Sequence, residues 1–470
     1  MLSEAAWSSP VRRVRGGSVA AVALLLLPTV PLLPGRALAQ ESRVNALLRE
    51  AEALGVRTGL VAFSAAGDRV LAHHRAHEGF IPASNQKVLT SIAALHGLGP
   101  EFVFETGFAL EQGVLVVRGG ADPNWITGTE HDPARIFTAV ARRLRNQGVT
   151  AVRAVELQAG VFGGPRRPEG WPQDQLDRPY CPPTGALVLD AGCFRARVQP
   201  IGGGASVDVL APTVLPGASK VRIRPGQTAP WMRERDGVIE AHGRMPRGAD
   251  PVVIEATVQD PARVFERGLE EILRREGVAV RADAPERDLV MPSYRSPLAP
   301  ALRAALVESS NFHAEQVLRA LGAAVAEDGS FSGGAAAMRV QLLALLGEVP
   351  ETLRITDGSG LSRQNRVTPA LLARAIAAAR LRPDYGEALL TAMATPGEGT
   401  LKRRFADSPA RGVTRAKSGW IRGASSLSGL VDGRSFAILM NYEPSRGGLN
   451  AKLKALQEHL VEAILAWGAR

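Results

Sequence analysis

The sequence predicts an α/β protein in which both chain ends build one domain, an antiparallel sheet flanked by helices, around a β-rich two-part insertion. Three observations predict it. Strand and helix patterns follow the N-terminal segment, and a hairpin and a long amphipathic helix close the chain. Between about residues 110 and 290 the chain turns Gly- and Pro-rich, with short alternating runs. Its 470 residues exceed what a single core uses.

The N-terminus carries Arg12, Arg13 and Arg15, then an apolar run from Val19 to Leu27 that continues through prolines to Leu33 and Ala37-Leu38-Ala39. This is the pattern of a cleavable export signal, cut after Ala39. Pro28, Pro31 and Pro34 interrupt the run, which is short against the about 20 residues of a membrane span. Adjacent Arg12 and Arg13 raise a twin-arginine signal, to which the surrounding residues lend little support.

Ser42 to Leu54 then reads as a short amphipathic helix, and Gly59–Phe63, a turn at Ala65–Asp68 and Arg69–Ala72 as strand, turn and strand. Pro82-Ala83-Ser84 opens a helix with Val88, Leu89, Ile92 and Leu95 on one face and Gly97 as its stop signal. In the middle region, 205–210 and 220–224 alternate as strands do, and Pro261 to Glu276 closes it as a helix. A helical region from Leu298 to Leu346 follows. Near the end, Asp432-Gly433 between two apolar runs, 424–431 and 435–440, is a hairpin signal. A helix carrying Leu449, Leu453, Leu456, Leu460, Ile464 and Trp467 ends the protein.

Composition narrows the classes. With 45% hydrophobic and 22% charged residues the chain is globular, neither disordered nor fibrous. Removing residues 1–39 takes away four arginines and one glutamate and lowers the formal charge from +10 to +7. No Arg-aromatic motif of nucleic-acid binding is present, so no nucleic acid is expected. A basic exported chain suits anionic wall polymer or lipid headgroups, with a loose membrane-surface association; plain arginine bias explains the charge equally well. Cys181 and Cys193 are an even pair in an exported chain, which permits a disulfide without requiring one. His73 and His74 are adjacent and would point to opposite faces of a strand, and the other histidines are scattered, so neither metal nor cofactor is expected.

The chemistry lies in three short motifs. Ser84 is the only serine followed three residues on by lysine, at Lys87; Ser309 the only one followed two residues on by asparagine, at Asn311; Lys417-Ser418-Gly419 is the only Lys-Ser/Thr-Gly. Each alone is common, since a serine at a helix start is usually a cap. Together and in this order they match the S-x-x-K, S-D-N and K-T-G signature of serine acyl-enzymes such as penicillin-binding proteins and class A β-lactamases. Ser84 and Lys87 share a helix face, with the serine at the positive end of the helix. A serine hydroxyl needs a base within reach. Lys87 can be that base only when neutral, and burial together with a second cation, Lys417, would make it so.

Further blocks extend the likeness: Phe80–Thr90 (FIPASNQKVLT), Gly119–Pro123 (GGADP), Asp357–Arg363 (DGSGLSR) and Gly397–Leu401 (GEGTL). On these the chain resembles the class C low-molecular-mass penicillin-binding proteins, periplasmic D-alanyl-D-alanine carboxypeptidases/endopeptidases. The resemblance implies a penicillin-recognising transpeptidase-like domain over 40–110 and 290–470, a second domain over 111–195 and 250–289, and a β-rich third over 196–249. It implies Ser84 as nucleophile, Lys87 as base, Ser309 as proton relay to the leaving amine, and Asn311 holding a substrate amide. Lys417 and Ser418 would engage the peptide carboxylate, and the N–H groups of Ser84 and Trp420 would form the oxyanion hole beside Gly419. Trp171 and Asp174, with Arg363, would bind the free end of a diaminopimelate side chain. Partners implied are peptidoglycan stem peptides and β-lactam antibiotics. Ser418 replaces the usual threonine, and Trp420 stands where a small hydroxyl residue is more usual. Two other readings share the motifs. A β-lactamase has a much shorter stretch between the first two than the 225 positions here, and a catalytically silent binding protein would be expected to lose the nucleophile or a lysine.

Overall fold

The computed structural model describes residues 34–467, and residues 1–33, which carry most of the expected export signal, lie outside it. Ala39 falls within the first described helix, Pro34–Ala53. No helix among the described residues is long and apolar enough to cross a membrane.

One five-stranded antiparallel sheet joins the two chain ends, in the order Thr414–Ile421, Ala424–Val431, Arg434–Asn441, Arg57–Phe63 and Val70–His74. The alternation of its strands is a division of labour between two cores. Leu60, Ala62, Phe436, Ile438 and Met440 face the terminal helices Pro34–Ala53 and Asn450–Ala466, together with Val44, Leu48, Leu453 and Leu460. Val61, Ala437 and Leu439 face the other way, onto the helices Gln86–Leu98, Asn311–Ala326 and Pro369–Arg380. The Asp432-Gly433 turn takes φ of 48° and 75°, the double left-handed geometry that a tight hairpin requires.

The helix after Ser84 differs from expectation at both ends. Ala83–Asn85 is a 3₁₀ turn and the α-helix runs Gln86–Leu98, with Gly99 rather than Gly97 beyond it. Gly97 is inside the helix because a neighbour is close: a Cβ there would lie 2.8 Å from Leu321 Cδ1. The region expected to be helical over 298–346 is three helices, Leu298–Leu306, Asn311–Ala326 and Phe331–Leu346, and the first break holds Ser309.

The middle of the chain forms two further layers. A second sheet orders Leu289–Val290, Val103–Glu111, Val114–Arg118 and Ala154–Gln158, with Tyr294–Pro297 also on Val103–Glu111. Against it pack the helices Pro133–Asn146 and Pro261–Arg275, each started by an aspartate cap, Asp132 or Asp260, followed by proline. Phe108, Trp125, Phe137 and Phe265 fill the space between. Beyond lie two smaller sheets, Val252–Thr257, Cys193–Ile201 and Gly204–Val209, and Arg222–Ile223, Val238–Met245 and Ala229–Arg235 with Gly217–Ser219 beside Val238–Met245. Their shared core contains Phe194, Val198, Met232, Ile239 and Met245. Cys181 and Cys193 are both buried free thiols, so the permitted disulfide is not formed. Burial pushes the Cys181 thiol up to about 12 and Cys193 up as well, which keeps both protonated.

Leu321 is fully buried where Asn311–Ala326 meets Gln86–Leu98. Leu321→Ala should cost about 2–5 kcal/mol, the range for a cavity that cannot collapse, read as a lower urea midpoint at unchanged slope.

Candidate active site

Strand register and helix start bring the three motifs together. Lys417, Ser418, Gly419 and Trp420 pair with Ser428, Leu427, Ser426 and Ser425 on the neighbouring strand. Ser426 Oγ donates to Pro82 O at 2.7 Å and receives Asn85 Nδ2 at 2.6 Å, which ties the start of the serine helix to the sheet. A Cβ on Gly419 would lie 2.8 Å from the backbone N of Ser84, so only glycine lets the strand approach Ser84 this closely. Ala83, just before Ser84, sits at φ 48°, and Ser309 at φ 62°. Left-handed backbone at a non-glycine residue costs about 1–3 kcal/mol, and here it marks both motif turns.

Lys87 is completely buried. Its Nζ donates to Ser84 Oγ at 3.1 Å, Asn311 Oδ1 at 2.7 Å and Ser359 O at 2.8 Å. Burial brings its pKa down to about 7, against the pull of Asp357 and Glu315. Lys417, also fully buried, is held well below the usual lysine range by burial and by the charge of Lys87, with Glu308 opposing. Its Nζ donates to Ser418 O at 2.7 Å. A lysine poised near neutrality and bonded to a serine hydroxyl can take the proton as that oxygen attacks.

Asn311 is engaged at both ends of its amide, Oδ1 by Lys87 and Nδ2 by donation to Tyr180 O at 2.6 Å. Ser309 precedes Ser310, whose Oγ caps Asn311–Ala326 and lies 2.7 Å from His313 Nδ1. Ser84 and Ser418 are half-buried, and Trp420 is 51% exposed.

The expected specificity residues differ in exposure. Asp174 is exposed on a short 3₁₀ turn, Gln173–Gln175, in the same loop as Tyr180. Arg363 is exposed and donates to Arg422 O at the turn that follows the Lys417 strand. Trp171, expected to wall a substrate chain, is only 2% exposed and its Nε1 donates to Asp357 Oδ2 at 3.0 Å. A buried indole needs a partner for its N–H, and here the partner is a loop carboxylate, so Trp171 clasps the inserted region to the Asp357 loop and presents no face to a ligand.

Two carboxylates organise that loop. Asp357 accepts from the N–H groups of Gly360 (2.7 Å) and Ser362 (2.6 Å) and from Asn365 Nδ2 (2.7 Å). Glu315, which the motif reading missed, accepts from Gly358 N at 2.9 Å and Ser359 N at 2.8 Å. Burial and Asp357 raise its pKa, and the two N–H donors pull it back. Glu315 thus fixes the segment whose Ser359 carbonyl holds Lys87. Its only sequence signal is its position four residues after Asn311, on the same helix face. Among the described residues no group of three or more His, Cys, Asp or Glu side chains could hold a metal ion.

With this geometry in place, the comparisons with known proteins are specific. The D-Ala-D-Ala carboxypeptidase 3 (S13) family matches residues 40–457. The chain belongs to that family. It is a serine-type D-Ala-D-Ala carboxypeptidase, of the class C low-molecular-mass penicillin-binding type. It is 28% identical to a D-alanyl-D-alanine carboxypeptidase of Actinomadura sp. (strain R39), over 89% of this chain and 85% of the relative. It is 24% identical to the D-alanyl-D-alanine carboxypeptidase DacB of Haemophilus influenzae, over 80% and 82%. The crystal structure of penicillin binding protein 4 (dacB) from H. influenzae superposes with a TM-score of 0.73 at 22% identity, over 90% of this chain and 98% of that one, and shows the shared fold.

Two outcomes follow for the carboxylate behind Lys87. The rate of Ser84 acylation should rise through a pH of about 7 with a one-proton slope, because below it Lys87 Nζ carries no free pair. Glu315→Gln should slow acylation about 10- to 100-fold, because an amide oxygen replaces the carboxylate that accepts from Gly358 N and Ser359 N and so holds the Ser359 carbonyl on Lys87. An acylation rate within about twofold of wild type would remove Glu315 from the support of Lys87.

Proposed function

We propose that this S13-family enzyme hydrolyses the terminal D-Ala-D-Ala bond of peptidoglycan stem peptides, and the related cross-link, through an acyl-enzyme on Ser84. The observation that carries the reading is the fully buried Lys87 amino group within hydrogen-bond reach of Ser84 Oγ. Neutral Lys87 takes the hydroxyl proton as Oγ bonds to the peptide carbonyl carbon. The oxyanion is met by the N–H groups of Ser84 and Trp420, which the close packing of Gly419 on Ser84 supports. The C–N bond breaks as the leaving D-alanine nitrogen takes a proton relayed through Ser309 from the lysine pair. Water then attacks the ester, giving up its proton to the same base, and Ser84 is restored.

Lys417 and Ser418 bind the terminal carboxylate, and the strand they open offers backbone groups to an extended peptide. Asn311 positions Lys87 and turns its amide N–H to a substrate carbonyl where the Tyr180 carbonyl now sits. Asp174 and Arg363, both exposed, read the zwitterionic end of the diaminopimelate side chain. Trp171 is withdrawn from that set by its burial. β-Lactams, which present the same carbonyl and carboxylate, acylate Ser84. The H. influenzae protein has also been solved in complex with a β-lactam. We read residues 40–110 and 290–470 as the catalytic domain and the intervening segments as the second and third, and place the mature enzyme in the periplasm after cleavage at Ala39.

Intact mass after incubation with benzylpenicillin tests the chemistry: one covalent adduct on Ser84, absent in Ser84→Ala at unchanged thermal unfolding. An adduct persisting at another serine removes the assignment. Lys87→Arg should acylate nearly as poorly as the alanine variant, because a guanidinium keeps its proton; retention within about tenfold of wild type would make Lys87 an electrostatic partner only. Asp174→Ala should lower kcat/KM for a diaminopimelate-containing peptide about 10- to 100-fold and leave penicillin acylation nearly unmoved. Equal losses on both would place Asp174 in the acylation machinery instead.

A further inference from the structure

The outermost sheet, Arg222–Ile223, Val238–Met245 and Ala229–Arg235, has one face spoken for and one open. Met232, Ile239, Ala241 and Met245 point into the core. On the opposite face Trp231 pairs in register with His242. Their rings stack at 4.3 Å and 9°, and the Arg233 guanidinium lies 5.8 Å from the indole centre. Trp231 remains 43% exposed, a large aromatic surface that the fold itself does not use.

The charges around this plate are lopsided. Residues 220–247 contain seven lysines and arginines and three acids. Of the acids, Glu234 is buried on the core side and accepts from Gly237 N and Gln259 N. Glu240 is occupied by Lys220, Arg233 and His242. Beside the plate Arg222 stands directly opposite Arg244, both exposed. Like charges facing each other across strands destabilise a sheet, and among the described residues no carboxylate pairs with either arginine. Exposed Arg224 and Arg247 add to the same surplus.

We propose that this face docks a carboxylate-rich, sugar-containing polymer, the wall material whose peptides the Ser84 site cleaves; the identity of that polymer rests on the proposed function. A sugar ring lies flat on an indole with its C–H groups against the π-face, and an arginine pair donates to a carboxylate in fork geometry. The opposed arginines then gain the counter-charge that the fold withholds. A phospholipid surface fits less well, since membrane-surface binding relies on an apolar face driven between the headgroups. Here the one large apolar group is stacked along a histidine and ringed by guanidinium groups.

The test is co-sedimentation with purified peptidoglycan sacculi, in a Ser84→Ala background so that the wall is not consumed. The full-length Ser84→Ala protein should sediment with sacculi, less so as salt is raised. Adding Trp231→Ala should weaken retention about 3- to 10-fold, and Arg222→Ser with Arg244→Ser about 10- to 100-fold. With Ser84 restored, both surface variants should acylate with benzylpenicillin at the wild-type rate. Unchanged sedimentation of the variants overturns the proposal, as does a parallel loss of acylation, which would make the face part of the fold. Stronger surface-dependent binding to anionic phosphatidylglycerol vesicles than to sacculi overturns it in favour of a membrane. Absence of any penicillin adduct would instead count against the Ser84 reading, which the sedimentation measurement does not use.

Discussion

The active site rests on keeping two lysines out of water within reach of one another. Burying one ammonium costs several kcal/mol, and burying a second beside it adds repulsion, so the protein can hold both only if at least one gives up its proton. Everything around Lys87 manages that conflict. Asn311 and the Ser359 carbonyl accept from its nitrogen, Asp357 and Glu315 pull its pKa up from one layer back, and burial pulls it down, while the charge of Lys87 bears in turn on Lys417. Burial drives the proton off and the acids retain it, which leaves Lys87 balanced near neutrality. Ser84 is useful because of that balance, not because of its helix position alone.

Much of this was legible in the sequence because the chemistry is carried by spacing. A serine and a lysine three apart must share a helix face, and a Lys-Ser-Gly ahead of an Asp-Gly hairpin must lie on a strand with a partner. The central sheet followed from the two apolar runs around Asp432-Gly433 for the same reason. What escaped was tertiary. Gly97 looked like a helix stop, whereas its missing side chain makes room for Leu321. Trp171 looked like a ligand wall, whereas its N–H is committed to Asp357 from a position 186 residues away in the chain. Glu315 carried no motif, because a carboxylate that binds backbone N–H groups of a distant loop has no local pattern to betray it. The helical break at Ser309 was hidden by good helix formers on both sides, and the positive φ there is imposed by the fold.

The middle of the chain is held to the Asn311–Ala326 helix by bonds to backbone carbonyls. Gln316 Nε2 donates to Ala121 O and Gly185 O, and Arg319 to Phe162 O, Gly163 O and the Thr184 hydroxyl. Such bonds fix orientation with little tolerance, since a buried guanidinium left unpaired is costly.

Asn311, Glu315, Gln316 and Arg319 all belong to one helix. Its first turn holds Lys87 through Asn311, and the rest grips segments that the chain makes 131 to 195 residues earlier. The helix therefore works as a shared axle. A rotation of the inserted region that strains its grip on Gln316 and Arg319 is delivered to Asn311 and, through it, to the lysine that must meet the serine. Wear at that grip would be felt at Lys87 and Ser84 with no change in any motif.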